Sequence, residues 1–89
     1  MAHLYFTPNL ARQVDCPADE IDAETVRELF DGYFAKRPAV RGYVLDDQGV
    51  VRRHIKVVVD DGYLQDRQAQ SDAVYPTSRV YVFQLLSGG

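Results

Sequence analysis

The chain of 89 residues has one cysteine, Cys16, so no intramolecular disulfide can form. That excludes the disulfide-stapled class of small secreted domains and, with no stretch that reads as a secretion signal, points to a reducing cytoplasm. Long hydrophobic runs are missing too. The first apolar stretch, Leu4-Tyr5-Phe6, is far too short for a signal core or a membrane span. An excess of basic charge is also absent: the formal net charge is −3, whereas phosphate backbones call for a concentrated basic surface, so a nucleic-acid partner is not expected. There is no glycine-rich phosphate loop and no His, Cys, Asp or Glu set at metal-ligand spacing, so neither a metal nor a bound cofactor is expected. Repeats, low-complexity tracts and linkers are lacking as well, which leaves one domain.

What is present suffices for a core. The hydrophobic share is 46%, with six tyrosines and four phenylalanines, in a chain near the lower size limit for a self-sufficient fold. Residues 3–7 read as a β-strand, with Pro8-Asn9 as a turn. Residues 12–16 read as a second strand closing an N-terminal hairpin, and residues 17–21 as an acidic connector. Asp22 is positioned to cap a helix whose first turn holds Glu24. Val26, Leu29, Phe30, Tyr33 and Phe34 follow at i, i+3, i+4, i+7 and i+8, the stripe of a helix with one buried face. Gly32 lies outside that stripe, so packing neither requires nor forbids it. Lys36-Arg37 complement the helix C-terminus and Pro38 ends it.

Residues 39–45 read as one turn tucking Val40, Tyr43 and Val44 into the core, and 46–49 as a turn across which 50–53 pair. Residues 54–59 form the clearest strand, apolar and β-branched as an interior strand requires. Asp60-Asp61-Gly62 ends it in a tight turn with the Asp-Gly pair at positive φ, after which Tyr63 and Leu64 resume briefly. Residues 65–77 read as a polar loop anchored by Val74 and Tyr75, and 79–84 as the last strand. The expected class is α+β, a mixed sheet with one main helix packed across it. The domain is residues 1–84, followed by a C-terminal tail over 85–89.

That tail, Leu85-Leu86-Ser87-Gly88-Gly89, carries the chemistry. Glycine has no Cβ, so Gly88 and Gly89 can thread a channel that another residue would block, presenting the final carboxylate to an enzyme as substrate. The alternative is an inert frayed terminus. In the last strand Val80 and Val82 are expected to point inward, with Phe83 and Tyr81 outward. Arg52-Arg53-His54 with Lys56 forms the one basic cluster, either a solvated strand face or a docking point for an acidic partner protein. Cys16 reads as a small buried hydrophobe, His3 and His54 as strand-face residues. The Asp46/Asp47 and Asp60/Asp61 pairs read as turn formers, and Lys36 and Lys56 matter only if the protein accepts isopeptide links.

Three segments carry a family resemblance. Arg53-His54-Ile55-Lys56-Val57-Val58-Val59-Asp60-Asp61-Gly62 resembles the central strand and turn of the sulfur-carrier proteins, among them the thiamine-biosynthesis carrier and the small subunit of molybdopterin synthase. Pro38-Ala39-Val40-Arg41-Gly42-Tyr43-Val44-Leu45 is similar to their segment after the helix. Residues 79–83 and the Gly88-Gly89 ending are similar to their last strand and tail. Two departures, Pro76-Thr77-Ser78 before the last strand and Asp60-Asp61-Gly62 in place of an Asn-Gly turn, lie in loops.

The resemblance implies the ubiquitin-like β-grasp fold, with the last strand beside the first. It implies a protein that is not itself an enzyme but a sulfur donor. A partner E1-like adenylating enzyme, supplying ATP and Mg²⁺, would activate the Gly89 carboxylate and convert it to a thiocarboxylate for a sulfur-accepting synthase. Leu85, Leu86, Ser87 and Gly88 would be gripped in extended form. Phe83 and Tyr81, with Arg53 and His54, would dock the partner. The alternatives are a molybdopterin-synthase subunit and a ubiquitin-like modifier forming isopeptide bonds through Gly89.

Overall fold

Alternation of apolar residues in three strands decides the architecture. In a computed structural model, which describes residues 1–85, the elements are β1 (Ala2–Phe6), α1 (Pro8–Ala11), β2 (Asp19–Ile21), α2 (Val26–Lys36), α3 (Pro38–Val44), β3 (Ile55–Val59), β4 (Gly62–Tyr63) and β5 (Arg79–Gln84). The sheet order is β2-β1-β5-β3-β4. β5 runs parallel to β1 and antiparallel to β3; the pairs β1–β2 and β3–β4 are antiparallel. Ala2 and Leu4, Val80 and Val82, and Ile55 and Val57 project from the three middle strands onto one face and are buried. Against them lies α2, whose expected stripe Val26, Leu29, Phe30, Tyr33 and Phe34 is buried in full. Each large apolar side chain so buried contributes about 1.5–3 kcal/mol. This is the α+β, ubiquitin-like β-grasp arrangement, with the last strand beside the first.

The N-terminal half departs from expectation. Residues 12–16 form no strand, and Pro8-Asn9 opens the helical turn α1 rather than a hairpin turn. Pro8 at the first helical position needs no N–H partner, while the Thr7 carbonyl accepts from the Leu10 and Ala11 amides. Leu10 is thereby driven into the core. The strand antiparallel to β1 is instead β2, in what reads as an acidic connector. Its acidic residues meet side chains from elsewhere in the chain: Asp19 meets Arg37 at 3.0 Å and Lys36 at 3.3 Å, and Glu20 meets the His3 imidazole at 3.1 Å. Only Ile21 faces the core.

Helix α2 is capped by Thr25, not Asp22. Thr25 is extended (φ −136°, ψ 162°), and its Oγ1 accepts from the Glu28 amide at 3.1 Å while Glu28 Oε1 accepts from the Glu24 amide at 2.9 Å. The Val26 and Arg27 amides donate to the Asp72 and Gln70 carbonyls, so the 65–78 loop completes the cap. That loop is tightly bonded. Asp66 accepts from the Gln68, Ala69 and Ser71 amides and the Ser71 hydroxyl, and Asp72 from the Gln65 and Asp66 amides. Gln70 is fully buried at φ 53°. Val74 anchors the loop as expected, but Tyr75 is 63% exposed.

Three smaller corrections follow from packing. Residues 38–44 make a helix, not one turn, and Tyr43 leaves the core for solvent while Val40 and Val44 stay buried. Across the 46–49 turn the bridge joins Leu45 to Val51, and residues 50–53 form no strand. In the 60–62 turn it is Asp60, not Gly62, that takes positive φ, at 54°; its carboxylate binds the Ser78 hydroxyl and the Arg79 amide, tying the turn to the start of β5.

Packing does constrain Gly32. A Cβ there would stand 2.7 Å from Ile21 Cγ2, and a β-branched side chain has little rotameric freedom to retreat. Gly32→Ala gains about 1 kcal/mol of helix propensity, but overpacking costs about 1–3 kcal/mol. Urea denaturation is therefore expected to show a net loss of about 1 kcal/mol; a net gain would show that β2 yields. Acid has a signed effect. The Arg37 guanidinium lowers the Asp19 carboxyl, the Val50 and Gln48 amides lower Asp46, and the Ser71 hydroxyl and Ala69 amide lower Asp66. Groups depressed on folding stabilise fully above their unfolded values and lose that stabilisation as pH falls through the folded ones. The urea midpoint is expected to decline only below about pH 4, and Asp66→Asn should flatten the decline.

Candidate functional site

The face of the sheet turned away from α2 carries the outward residues of the same strands. On β5, Arg79, Tyr81 and Phe83 alternate with buried Val80 and Val82, as expected; Tyr81 is 39% exposed and Phe83 half-buried. Register sets their neighbours. Tyr81 lies between Tyr5 of β1 and Val58 of β3, and Val58 opposes Tyr63 of β4. A row of three tyrosines and a valine therefore crosses four strands. The Tyr5 and Tyr81 rings stack at 4.9 Å, and the Tyr5 and His3 rings lie near-parallel at 6.3 Å. Phe83 is paired with Lys56 nearer the strand end. Tyr5, Val58 and Tyr63 escape a sequence reading because strand order, not local pattern, makes them neighbours of Tyr81.

At the end of β5 the chain leaves the sheet beside a turn. The Ile55 amide donates to the Arg52 carbonyl at 3.0 Å, placing exposed Arg53 and His54 at the turn's tip. The Leu85 amide donates to the His54 carbonyl at 2.9 Å, one rung beyond the Ile55–Gln84 pair. The fold thus brings Phe83, Leu85, Arg53 and His54 to one end of the sheet, with Tyr81 one outward position further in. Leu86, Ser87, Gly88 and Gly89 lie outside the described residues.

An open groove of about 510 Å³ borders this turn, lined by Arg52, Arg53, His54 and Arg67. Its one acid, Asp46, spends its Oδ1 on the Gln48 and Val50 amides. In a chain of net charge −3 this is a local concentration of positive charge.

Other weighed residues stand apart. Cys16 is buried in the core, and burial, then Asp15, pushes its thiol up, the opposite of an activated nucleophile. His3 pairs with Glu20 rather than with His54. Tyr33 donates its hydroxyl to the Pro17 carbonyl at 2.7 Å beneath the Arg37 guanidinium; burial raises its phenol to about 12, so it is a structural donor. Among the described residues no group of three potential metal ligands occurs, and no helix is long and apolar enough to cross a membrane.

No family model matches the chain, and no curated protein matches it by sequence. Solved structures do match in fold. The crystal structure of SAMP1 from Haloferax volcanii aligns over 99% of this chain and 98% of its own, with TM-score 0.75 and 22% identity. A chain of the Amycolatopsis orientalis BexX/CysO complex aligns over 100% of both, with TM-score 0.82 and 16% identity. The small archaeal modifier protein 1 from Methanosarcina acetivorans aligns over 99% and 95%, with TM-score 0.80 and 13% identity. At these identities the shared property is the fold, over the full length.

The two faces of the sheet are expected to respond differently to truncation. Leu4→Ala, on the buried face, should cost about 2–5 kcal/mol. A double-mutant cycle of Tyr5→Ala and Tyr81→Ala should give a coupling of about 0.5–1.5 kcal/mol, that of one stacked pair. A core-sized loss for Tyr81→Ala in urea denaturation would show that this ring holds the fold instead of furnishing a surface.

Proposed function

We propose that this protein is a small sulfur carrier whose C-terminal Gly89 cycles between carboxylate and thiocarboxylate. A carboxylate is a poor electrophile, because its charge repels nucleophiles and its leaving group would be oxide. A carboxylate oxygen of Gly89 attacks the α-phosphorus of ATP at a partner E1-like enzyme, which holds the Mg²⁺, and pyrophosphate departs. A sulfide then attacks the acyl carbon of the mixed anhydride, and AMP leaves with the bonding pair. At an accepting synthase the thiocarboxylate sulfur attacks an electrophilic centre of the acceptor and displaces its leaving group, and water then cleaves the acyl C–S bond, leaving the sulfur on the acceptor and restoring the Gly89 carboxylate. Gly88 and Gly89 supply the clearance this passage needs, and the partner's channel grips Leu85, Leu86 and Ser87 in extended form through backbone hydrogen bonds.

The observation that carries this proposal is the exit of the chain at Leu85, four residues before Gly89, from the end of the central strand of a β-grasp body. A central strand is paired on both sides and cannot slide, so the tail leaves from a fixed point. Tyr81, Phe83, Arg53 and His54 lie near that point; in this reading the two aromatics dock the partner and Arg53 and His54 meet its acidic surface. The buried free Cys16 suits a reducing cytoplasm. Delivery to a pterin precursor, as a molybdopterin-synthase subunit, is a variant in which the tail stays seated in a larger catalytic subunit; stable co-purification with such a subunit distinguishes it.

A second reading has its own support. Three of the structures sharing this fold are named SAMP1 or small archaeal modifier protein 1, and a modifier would join Gly89 to a target lysine by an isopeptide bond. Intact-mass measurement after co-expression with an activating enzyme and a sulfur source separates the two. The carrier is expected to gain the mass of one sulfur-for-oxygen exchange, abolished by deletion of Gly88-Gly89. Higher-mass lysine conjugates lost on the same deletion, with no such exchange, would establish the modifier instead.

A further inference from the structure

The turn that receives Leu85 is held from beneath by one side chain. Arg67, half-buried in the 65–78 loop, directs Nη2 at three carbonyls of the opposite segment: Arg52 at 2.6 Å, Ile55 at 2.8 Å and, more weakly, Val51 at 3.4 Å. Two of these carbonyls flank the Arg53-His54 tip. The loop and turn are joined again through the backbone, where the Val51 amide donates to the Arg67 carbonyl at 3.0 Å. Gln70, fully buried, donates to that same Arg67 carbonyl at 2.7 Å and to Gly49 at 3.0 Å, fixing the guanidinium's own base.

We infer that Arg67 is a positioning residue for the tail: by clamping the carbonyls on either side of His54, it holds the His54 carbonyl where it accepts the Leu85 amide. The physical reason is geometric. A guanidinium is planar and permanently charged, so the two N–H bonds of Nη2 point in fixed in-plane directions and hold the Arg52 and Ile55 carbonyls in a fixed relation. The His54 carbonyl lies between the clamped Arg52 and Ile55 carbonyls, with only the Arg53 peptide intervening, and its rotation is limited because peptide planes turn only about φ and ψ. The last rung of β5 therefore depends on a side chain from the 65–78 loop. That rung sets the point and direction from which the tail departs. Preorganising the departure lowers the ordering cost of inserting the tail into a partner channel, which appears in KM, not in the chemical step. The role in activation rests on the carrier reading of Gly89, whereas the clamp itself does not.

Amide hydrogen exchange by NMR on the full chain tests the clamp directly. In Arg67→Met the Leu85 amide is expected to exchange about ten-fold faster, the scale of losing one hydrogen bond, while the Leu29 amide inside α2 keeps its protection. Arg67→Lys, which retains charge but not the rigid planar N–H pair, should fall between the two. If Arg67→Met does not fold, Arg67→Lys decides by the same comparison. Unchanged Leu85 exchange, or an equal loss at Leu85 and Leu29, would overturn the clamp. With the activating enzyme, Arg67→Met is expected to lower kcat/KM about ten-fold through KM, with kcat retained and partial recovery in Arg67→Lys. A selective Leu85 effect without that KM change would overturn the positioning role. Absence of any activation of the wild-type chain would instead count against the carrier reading, and the exchange result would still decide the clamp.

Discussion

Everything in this molecule is referred to β5. It is paired on both sides, parallel to β1 and antiparallel to β3, so its register is fixed twice. A slip of one residue would turn Val80 and Val82 out to solvent and bring Tyr81 and Phe83 into the core. The parallel partnership requires a long crossover between β1 and β5, and that crossover contains both longer helices and the other three strands. The first and last strands close the fold together, and the position of Leu85 follows from that closure.

The 65–78 segment serves both ends of this arrangement. Toward α2 it supplies the Gln70 and Asp72 carbonyls that satisfy the first helical amides; toward β3 it supplies the Arg67 guanidinium. Its own conformation is set by two aspartates accepting hydrogen bonds from neighbouring amides, the ordinary means by which short polar side chains stabilise a turn. A stretch without regular elements thereby ties the helix start to the point where the chain leaves the sheet.

Helix α2 and the strands β3 and β5 were legible because each is long enough for its hydrophobic period to show. The five-residue stripe of α2 and the inward Val80 and Val82 follow from spacing alone. β2 was not legible. Three residues, two of them acidic, resemble a connector, and only Arg37, Lys36 and His3 brought from elsewhere make a polar edge strand acceptable. The cap at Thr25 was missed for a similar reason: Asp22 and Thr25 are both competent caps, and the loop carbonyls that complete the helix start come from more than forty residues away. Gly32 looked indifferent because its constraint is Ile21, on that same unrecognised strand. Of the outward face of the sheet, Tyr81 and Phe83 were readable from alternation, whereas Tyr5, Val58 and Tyr63 were not.

Local spacing by itself determined the α+β class, the inward and outward faces of β5, and the position of two glycines four and three residues beyond Leu85, since periodicity and chain order are properties of neighbours along the chain. Tertiary structure decided which strands lie side by side, that tyrosines from three strands form one row, and that Arg67 reaches the turn that receives Leu85. These depend on contacts between residues far apart in sequence. Their geometry is fixed only when the hydrophobic faces of the helix and sheet close on one another.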